Sequence, residues 1–159
     1  TGEDGKRPLT AFGALQAKAL VDTLSAYRPS SLISSPWTRC FTTIEPYAKK
    51  RKHAVTVRSQ LSELGNKKGP RRTKNVVDDL VHAEESVVLC SHRPALPTIL
   101  ETLAVYAKNG FAAQIKAASD LKPAEMLVVH FAHASKKHKK NTRSIVSVER
   151  YPLALKEPV

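Results

Sequence analysis

The chain has 159 residues, 42% apolar and 25% charged, a composition that suits one globular domain rather than a disordered tail. Lysine and arginine number 26 against 14 aspartates and glutamates, and the resulting charge of +12 favours anionic partners. No apolar run approaches the ~18 residues of a membrane span. Cys40 and Cys90 match no paired metal spacing, so neither a disulfide scaffold nor a structural zinc site is expected, and a cytoplasmic location is.

The opening residues, TGEDGKRPLT, lack the apolar stretch and cleavage site of a signal peptide, and there is no initiator Met. A chain cut or processed from something longer is expected. Thr10 is a candidate N-cap for a helix whose stripe is Phe12, Leu15, Ala19, Leu20 and Leu24, with Pro29 past its end. SLISS, Ser31 to Ser35, reads as a short buried strand ending in small polar residues. A second helix begins at Pro36 and Trp37, and Pro46 is positioned to kink it. Ala54 to Val57 alternates like a strand. Asn66 to Thr73 is rich in Gly, Pro and Lys and reads as a loop, and Asn75 to Ala83 as a helix with Val76, Val77, Leu80 and Val81 inward. SVVLCS, Ser86 to Ser91, is the clearest buried strand. Pro94 to Ala107 reads as a helix, 108–120 has no clear pattern, and Met126 to Phe131 and Ser144 to Val148 read as strands joined across KKHKK. Strands alternating with helices predict an α/β fold with a mainly parallel sheet covered on both faces. No internal repeat is present, so residues 1–159 are read as a single domain.

The positive charge is clustered at 49–52, at 67–74 and at 136–140. None of these runs is interleaved with the aromatics that stack single strands, and no zinc-finger, basic-zipper or RNA-recognition signature occurs. Residues 67–74 and 136–140 are predicted to be exposed, mobile loops that attract polyanions without sequence preference; no specific nucleic acid and no membrane is expected as a partner.

In an open α/β sheet, ligands bind beyond the carboxyl ends of the strands. Three polar clusters fall there: Ser34, Ser35 and Arg39; Ser62 and Glu63; Ser91, His92 and Arg93. Arg39 in the first turn of a helix suits a phosphate. Taken singly, Arg39 reads equally as a surface helix arginine, His92 as a satisfied structural histidine and Glu63 as a solvated carboxylate. Their placement in one crevice raises all three. His130 and His133 lie three apart on a strand and face opposite sides, a poor metal pair. Cys90, inside a strand, reads as an inert core thiol. Gly65 and Gly69 form no phosphate-cradling motif.

These landmarks, in this order, resemble the histidine phosphatase superfamily, which includes the phosphoglycerate mutases. RPLTAFGALQAKAL, Arg7 to Leu20, is similar to its RPLT-x-x-G-x-x-Q-A signature. SSPWTRCFTTIEPYA resembles the S-S-x-x-x-R-x-x-x-T segment, which puts Arg39 on a phosphate-binding arginine. LSE, Leu61 to Glu63, resembles the L-x-E element, which puts Glu63 on the proton donor. VVLCSH resembles the strand presenting the second pocket histidine, His92. The match covers most of residues 6–104. SHRPALP, LSELG and RPLTAFG are also similar to the C-terminal domain of actinobacterial MutT-type Nudix proteins, and RPLT to the small phosphohistidine phosphatases.

The resemblance implies a three-layer, phosphoglycerate mutase-like α/β sandwich and a phosphohydrolase, with Arg39, Glu63 and His92 as candidate catalytic residues. Arg7 and Arg93 would extend the anion site. The implied ligand is a phosphorylated small molecule or nucleotide, such as 8-oxo-dGTP. A phosphohistidine phosphatase, or a non-catalytic phosphate-binding or docking domain, is the alternative. The R-H-G or R-H-A element, with the nucleophilic histidine and another phosphate-binding arginine, lies on the superfamily's first strand, ahead of RPLT. The chain begins after it, so a companion N-terminal segment is expected to supply that strand, and this chain alone is expected to be inactive. No metal is implied for the site, and Mg2+ would belong only to a Nudix domain elsewhere, since these residues contain no Nudix box.

Overall fold

The fold is described from a computed structural model, for residues 4–108, 110–132, 143–152 and 155. After a 3-10 turn at Asp4–Lys6 the elements are α1 (Ala11–Tyr27), β1 (Ser31–Ser34), α2 (Thr38–Arg51), β2 (Val55–Val57), α3 (Glu63–Lys68), α4 (Pro70–His82), β3 (Val87–Cys90), α5 (Leu96–Ala104), α6 (Phe111–Ala117), β4 (Met126–Ala132) and β5 (Ser144–Tyr151). Three strands form a parallel sheet in the order β2-β1-β3, and β4 and β5 form a separate antiparallel pair. The parallel order follows from βαβ connection, since each crossover carries a helix.

The two-residue period of β1 builds the layers. Leu32 joins Leu20 and Leu24 of α1 and Ile44, Tyr47 and Ala48 of α2 in one core. Ile33, its neighbour, points the other way and packs with Leu61, Val77 of α4 and Ile99 of α5. A third core joins Leu100 and Ala104 of α5 to Ile115 of α6 and Ile145 of β5.

Local signals read from the sequence recur. Thr10 caps α1, its Oγ1 accepting from the Gly13 amide at 3.0 Å. Leu15 is an exception to the predicted stripe: it is exposed, and Ala17 takes the buried place with Leu20 and Leu24. The helix α2 runs through Pro46.

Two predictions need correcting. Residues 66–73 are not a mobile loop. They hold the end of α3 and the start of α4, broken only at Gly69. Ser62 caps α3, Pro70 sits at the first position of α4, and Lys and Arg are good helix formers. Thr73, fully buried, anchors the segment by donating to the Gln60 carbonyl at 2.8 Å. The basic residues 67, 68, 71, 72 and 74 are exposed, as expected. The run at 136–140, with His133 and His138, lies outside the described residues.

The second correction concerns SVVLCS. Val87, Val88, Leu89 and Cys90 are only half-buried, because β3 pairs with β1 along one edge and its other edge has no strand partner among the described residues. The same holds for β4, half-buried along its length and paired only with β5. Between them lies a cleft of about 680 Å³, walled by Val88 and Cys90 on one side and Leu127, Val129 and Phe131 on the other. Arg39, Glu63, Ser91, His92 and Arg93, one or more from each polar cluster, also line this cleft.

Candidate active site

Arg39, Glu63 and His92 reach the cleft from three different elements, each positioned by local geometry. Arg39 lies in the first turn of α2, just after the strand end at Ser34 and Ser35. Glu63 opens α3, whose entry is set by Ser62: its Oγ accepts from the Gly65 amide at 2.9 Å. Gly65 is required by close approach, since a Cβ there would lie 2.0 Å from the Ser59 carbonyl oxygen. His92 follows β3 and is buried.

The three side chains converge. Glu63 Oε1 stands 3.6 Å from His92 Nδ1 and 3.9 Å from an Arg39 terminal nitrogen. His92 is fixed by Ser35 Oγ at 2.9 Å from Nε2, by the Cys40 thiol at 3.3 Å and by the Trp37 ring, edge-on at 4.8 Å. The Arg39 guanidinium is held over Trp37 at 5.7 Å. It donates to both carboxylate oxygens of Asp4 at 3.2 Å and to the Asp4 carbonyl at 3.1 Å. A carboxylate gripped by both guanidinium nitrogens marks a face built for planar anions. Arg7 pairs with Asp4 at 3.2 Å, and Arg7 and Arg93, both exposed, line the cleft.

The sequence alone gives Asp4, which lies ahead of the first helix, no role. Its distance from Arg39 in the chain left no local signal. Trp37 and Cys40 were read as helix residues; that they contact His92 emerges only from the packing of α2 against the end of β3.

The charges set the proton states. Hydrogen bonds from Arg39 hold the Asp4 carboxyl below its ordinary value. Burial foremost, then the Arg39 charge, lowers His92 to about 4, with Asp4 pulling the other way. The imidazole is therefore neutral in the free pocket at pH 7. The unfolded chain takes up a proton near 6.5 that the folded imidazole refuses until about 4. Stability from this site is whole above ~6.5, falls as the pH drops toward ~4 and is level below. At ~1.4 kcal/mol per pKa step, the loss is bounded near ~3 kcal/mol. The expected result is a steeper fall of melting temperature in the native chain than in His92→Gln between about pH 7 and 4. Parallel curves would mean that His92 protonates freely inside the fold.

Among the described residues, no group of three or more His, Cys, Asp and Glu side chains is placed to hold a metal ion. No helix among them is long and apolar enough to cross a membrane.

The sequence profile of the histidine phosphatase superfamily, branch 1, matches residues 2–70, the stretch holding Arg39 and Glu63. The chain is similar to the histidine phosphatase superfamily over that stretch. It is 28% identical over 100 residues to an 8-oxo-(d)GTP phosphatase of Mycolicibacterium smegmatis, a match covering 63% of the chain. The aligned part spans 31% of that relative's length. By fold it is similar to a mycobacterial glucosyl-3-phosphoglycerate phosphatase (TM-score 0.66, 15% identity, 89% of this chain and 85% of that one). It is also similar to SixA of Agrobacterium tumefaciens, assigned to the phosphohistidine phosphatases (TM-score 0.60, 18% identity, 92% and 84%). The predicted α/β, phosphoglycerate mutase-like fold class stands.

Proposed function

We propose that the chain is part of a phosphohydrolase domain of the histidine phosphatase type and contributes most of its phosphate pocket. The observation that carries this reading is the meeting of Arg39, Glu63 and His92 within 4 Å contacts at the mouth of one cleft. Arg39 binds equatorial phosphoryl oxygens and offsets the charge that develops on them. Bound phosphate dianion raises the proton affinity of His92, which then serves as a second cation. Glu63 donates a proton to the leaving oxygen and later activates water. The cationic side chains make a metal unnecessary for these steps.

The nucleophile is assigned to a companion segment. Among the described residues His92 is the only histidine lining the cleft, and it is committed to Ser35, Cys40 and Glu63. The facing, unpartnered edges of β3 and β4 and the apolar walls between them suit an inserted strand. Such a strand, ending in Arg-His-Gly or Arg-His-Ala at the mouth, sets a histidine beside Arg39 for in-line attack on phosphorus, giving a phosphohistidine.

The substrate class proposed is a nucleotide such as 8-oxo-dGTP, in a cytoplasmic parent protein of the MutT-type Nudix kind. The likeness to the 8-oxo-(d)GTP phosphatase supports it, and the exposed Arg7 and Arg93 offer room for further phosphates. Mg2+ would belong to the Nudix part. A protein phosphohistidine is the second reading, supported by the fold likeness to SixA. The test is a comparison of kcat/KM for 8-oxo-dGTP, simple phosphomonoesters and a phosphohistidine peptide, using the chain joined to its companion strand. Preference for the nucleotide is expected. Preference for the peptide would favour the second reading, and phosphate binding with no turnover of any would leave a docking domain.

A further inference from the structure

Ser35 stands just past the end of β1 and is fully buried. Its hydrogen-bonding groups can be followed one by one. The amide donates to the Cys90 carbonyl at 3.0 Å, and the Ser35 carbonyl accepts from Ser34 Oγ at 2.9 Å. The side-chain oxygen accepts from the Trp37 amide at 3.2 Å. That leaves the hydroxyl proton. The acceptor it meets among the described residues is His92 Nε2, 2.9 Å away. The Cys40 thiol beside them donates to the Ser91 carbonyl at 3.1 Å.

A neutral imidazole has one donor and one acceptor nitrogen, and the hydrogen bond made by one decides the state of the other. A proton on Nε2 would donate to Ser35 Oγ and leave the buried hydroxyl without an acceptor, an unmade bond away from water. It would also turn the Nδ1 lone pair toward Glu63 Oε1, 3.6 Å away. A proton on Nδ1 removes both conflicts. Ser35 then donates to Nε2, and an N–H points at the Glu63 carboxyl. Burial, the main cause of lowering His92 to about 4, keeps the ring neutral at pH 7, so the choice between the two nitrogens is a real one.

We propose that Ser35 is a positioning residue that fixes His92 as the tautomer protonated on Nδ1, so that the pocket is presented with an N–H donor and not a lone pair. On the phosphate-pocket reading, on which the purpose of this arrangement rests, that N–H meets a phosphoryl oxygen. The donor is then in place before His92 takes up a second proton. Arg39 and Glu63 approach the same ring from α2 and α3, and neither touches Nε2; that nitrogen is held by Ser35 and Cys40.

The experiment records long-range proton–nitrogen NMR correlations of the full chain labelled with 15N-histidine near neutral pH. The His92 signals are identified by their loss in His92→Gln. Native His92 is expected to show a protonated Nδ1 and a bare Nε2. In Ser35→Ala the Nε2-protonated form should rise by about fivefold, the worth of one ordinary hydrogen bond. Ser35→Thr, which keeps a hydroxyl, should hold the native pattern. Inorganic phosphate titrated into the native chain is expected to move the His92 signals, and Ser35→Ala should bind it several-fold more weakly than Ser35→Thr. Circular dichroism checks that each variant folds. If one does not, the native spectrum, recorded on the chain alone and joined to its companion strand, carries the test. Native His92 protonated on Nε2, or a folded Ser35→Ala with the native pattern, would overturn the proposal. An Nδ1 proton that depends on Ser35 but signals that phosphate leaves unmoved would uphold the role of Ser35 and count against the phosphate-pocket reading instead.

Discussion

Joined to a strand that fills the cleft between β3 and β4 and ends in Arg-His-Gly, the chain is expected to hydrolyse phosphomonoesters, while without that strand it does not. The two facing edges have no strand partner among the described residues, and the cleft of about 680 Å³ between them is walled by β3 and β4 side chains that are only half-buried. Each buried backbone group that gains a partner recovers about 1–3 kcal/mol. Each large apolar side chain that completes the core adds roughly 2–5 kcal/mol. Against a total stability of about 5–15 kcal/mol, the inserted strand should also raise the melting temperature by many degrees. Co-expression of the two polypeptides, followed by copurification, thermal melting and a phosphatase assay, checks both effects. A companion strand with His→Ala should restore stability without turnover, which separates the nucleophile from the filler. Turnover by the 159 residues alone, at a rate the companion does not change, would place the nucleophile elsewhere.

In the joined protein, Arg39→Ala is expected to lower kcat by about 10²–10³, the usual cost of removing one donor to charge developing in the transition state. Arg39→Lys should recover only a small part of it, because an ammonium keeps the charge but not the planar fork that grips two oxygens. The loss should come without unfolding: the Arg39 side chain is 21% exposed, and its ion pairs are with Asp4 and Glu63 at the cleft mouth. Asp4 then loses its main hydrogen-bond donor, and its carboxyl should move back toward its ordinary value. Steady-state kinetics and a titration of Asp4 by NMR check the two halves. An Arg93→Ala variant, exposed at the rim, should change KM more than kcat. If Arg39→Ala costs less than Arg93→Ala, the phosphate sits against the other arginine.

What could be read directly from the residues was local or periodic. Thr10 caps α1 because a hydroxyl three residues before a free amide needs no distant partner. Leu32 and Ile33 build opposite cores because a strand alternates, and Ser35, Glu63 and His92 fall at strand ends or the turns after them because a buried strand stops where polar residues begin. The ordered motifs carried Arg39, Glu63 and His92 to one site, and the contacts of Glu63 with both partners place them there. The tertiary structure decided the rest. Helix formation at 66–73 depends on a buried Thr73 and its bond to Gln60, which composition does not display. The pairing of β3 with β1 alone, and of β4 with β5 alone, opens the cleft, and strand order is a long-range choice that no residue pattern encodes by itself. The same distance hid Asp4 on Arg39 and Cys40 against His92, contacts spanning 35 and 52 positions. Side chains that meet only after α2 packs on β3 have no spacing in the chain to announce them.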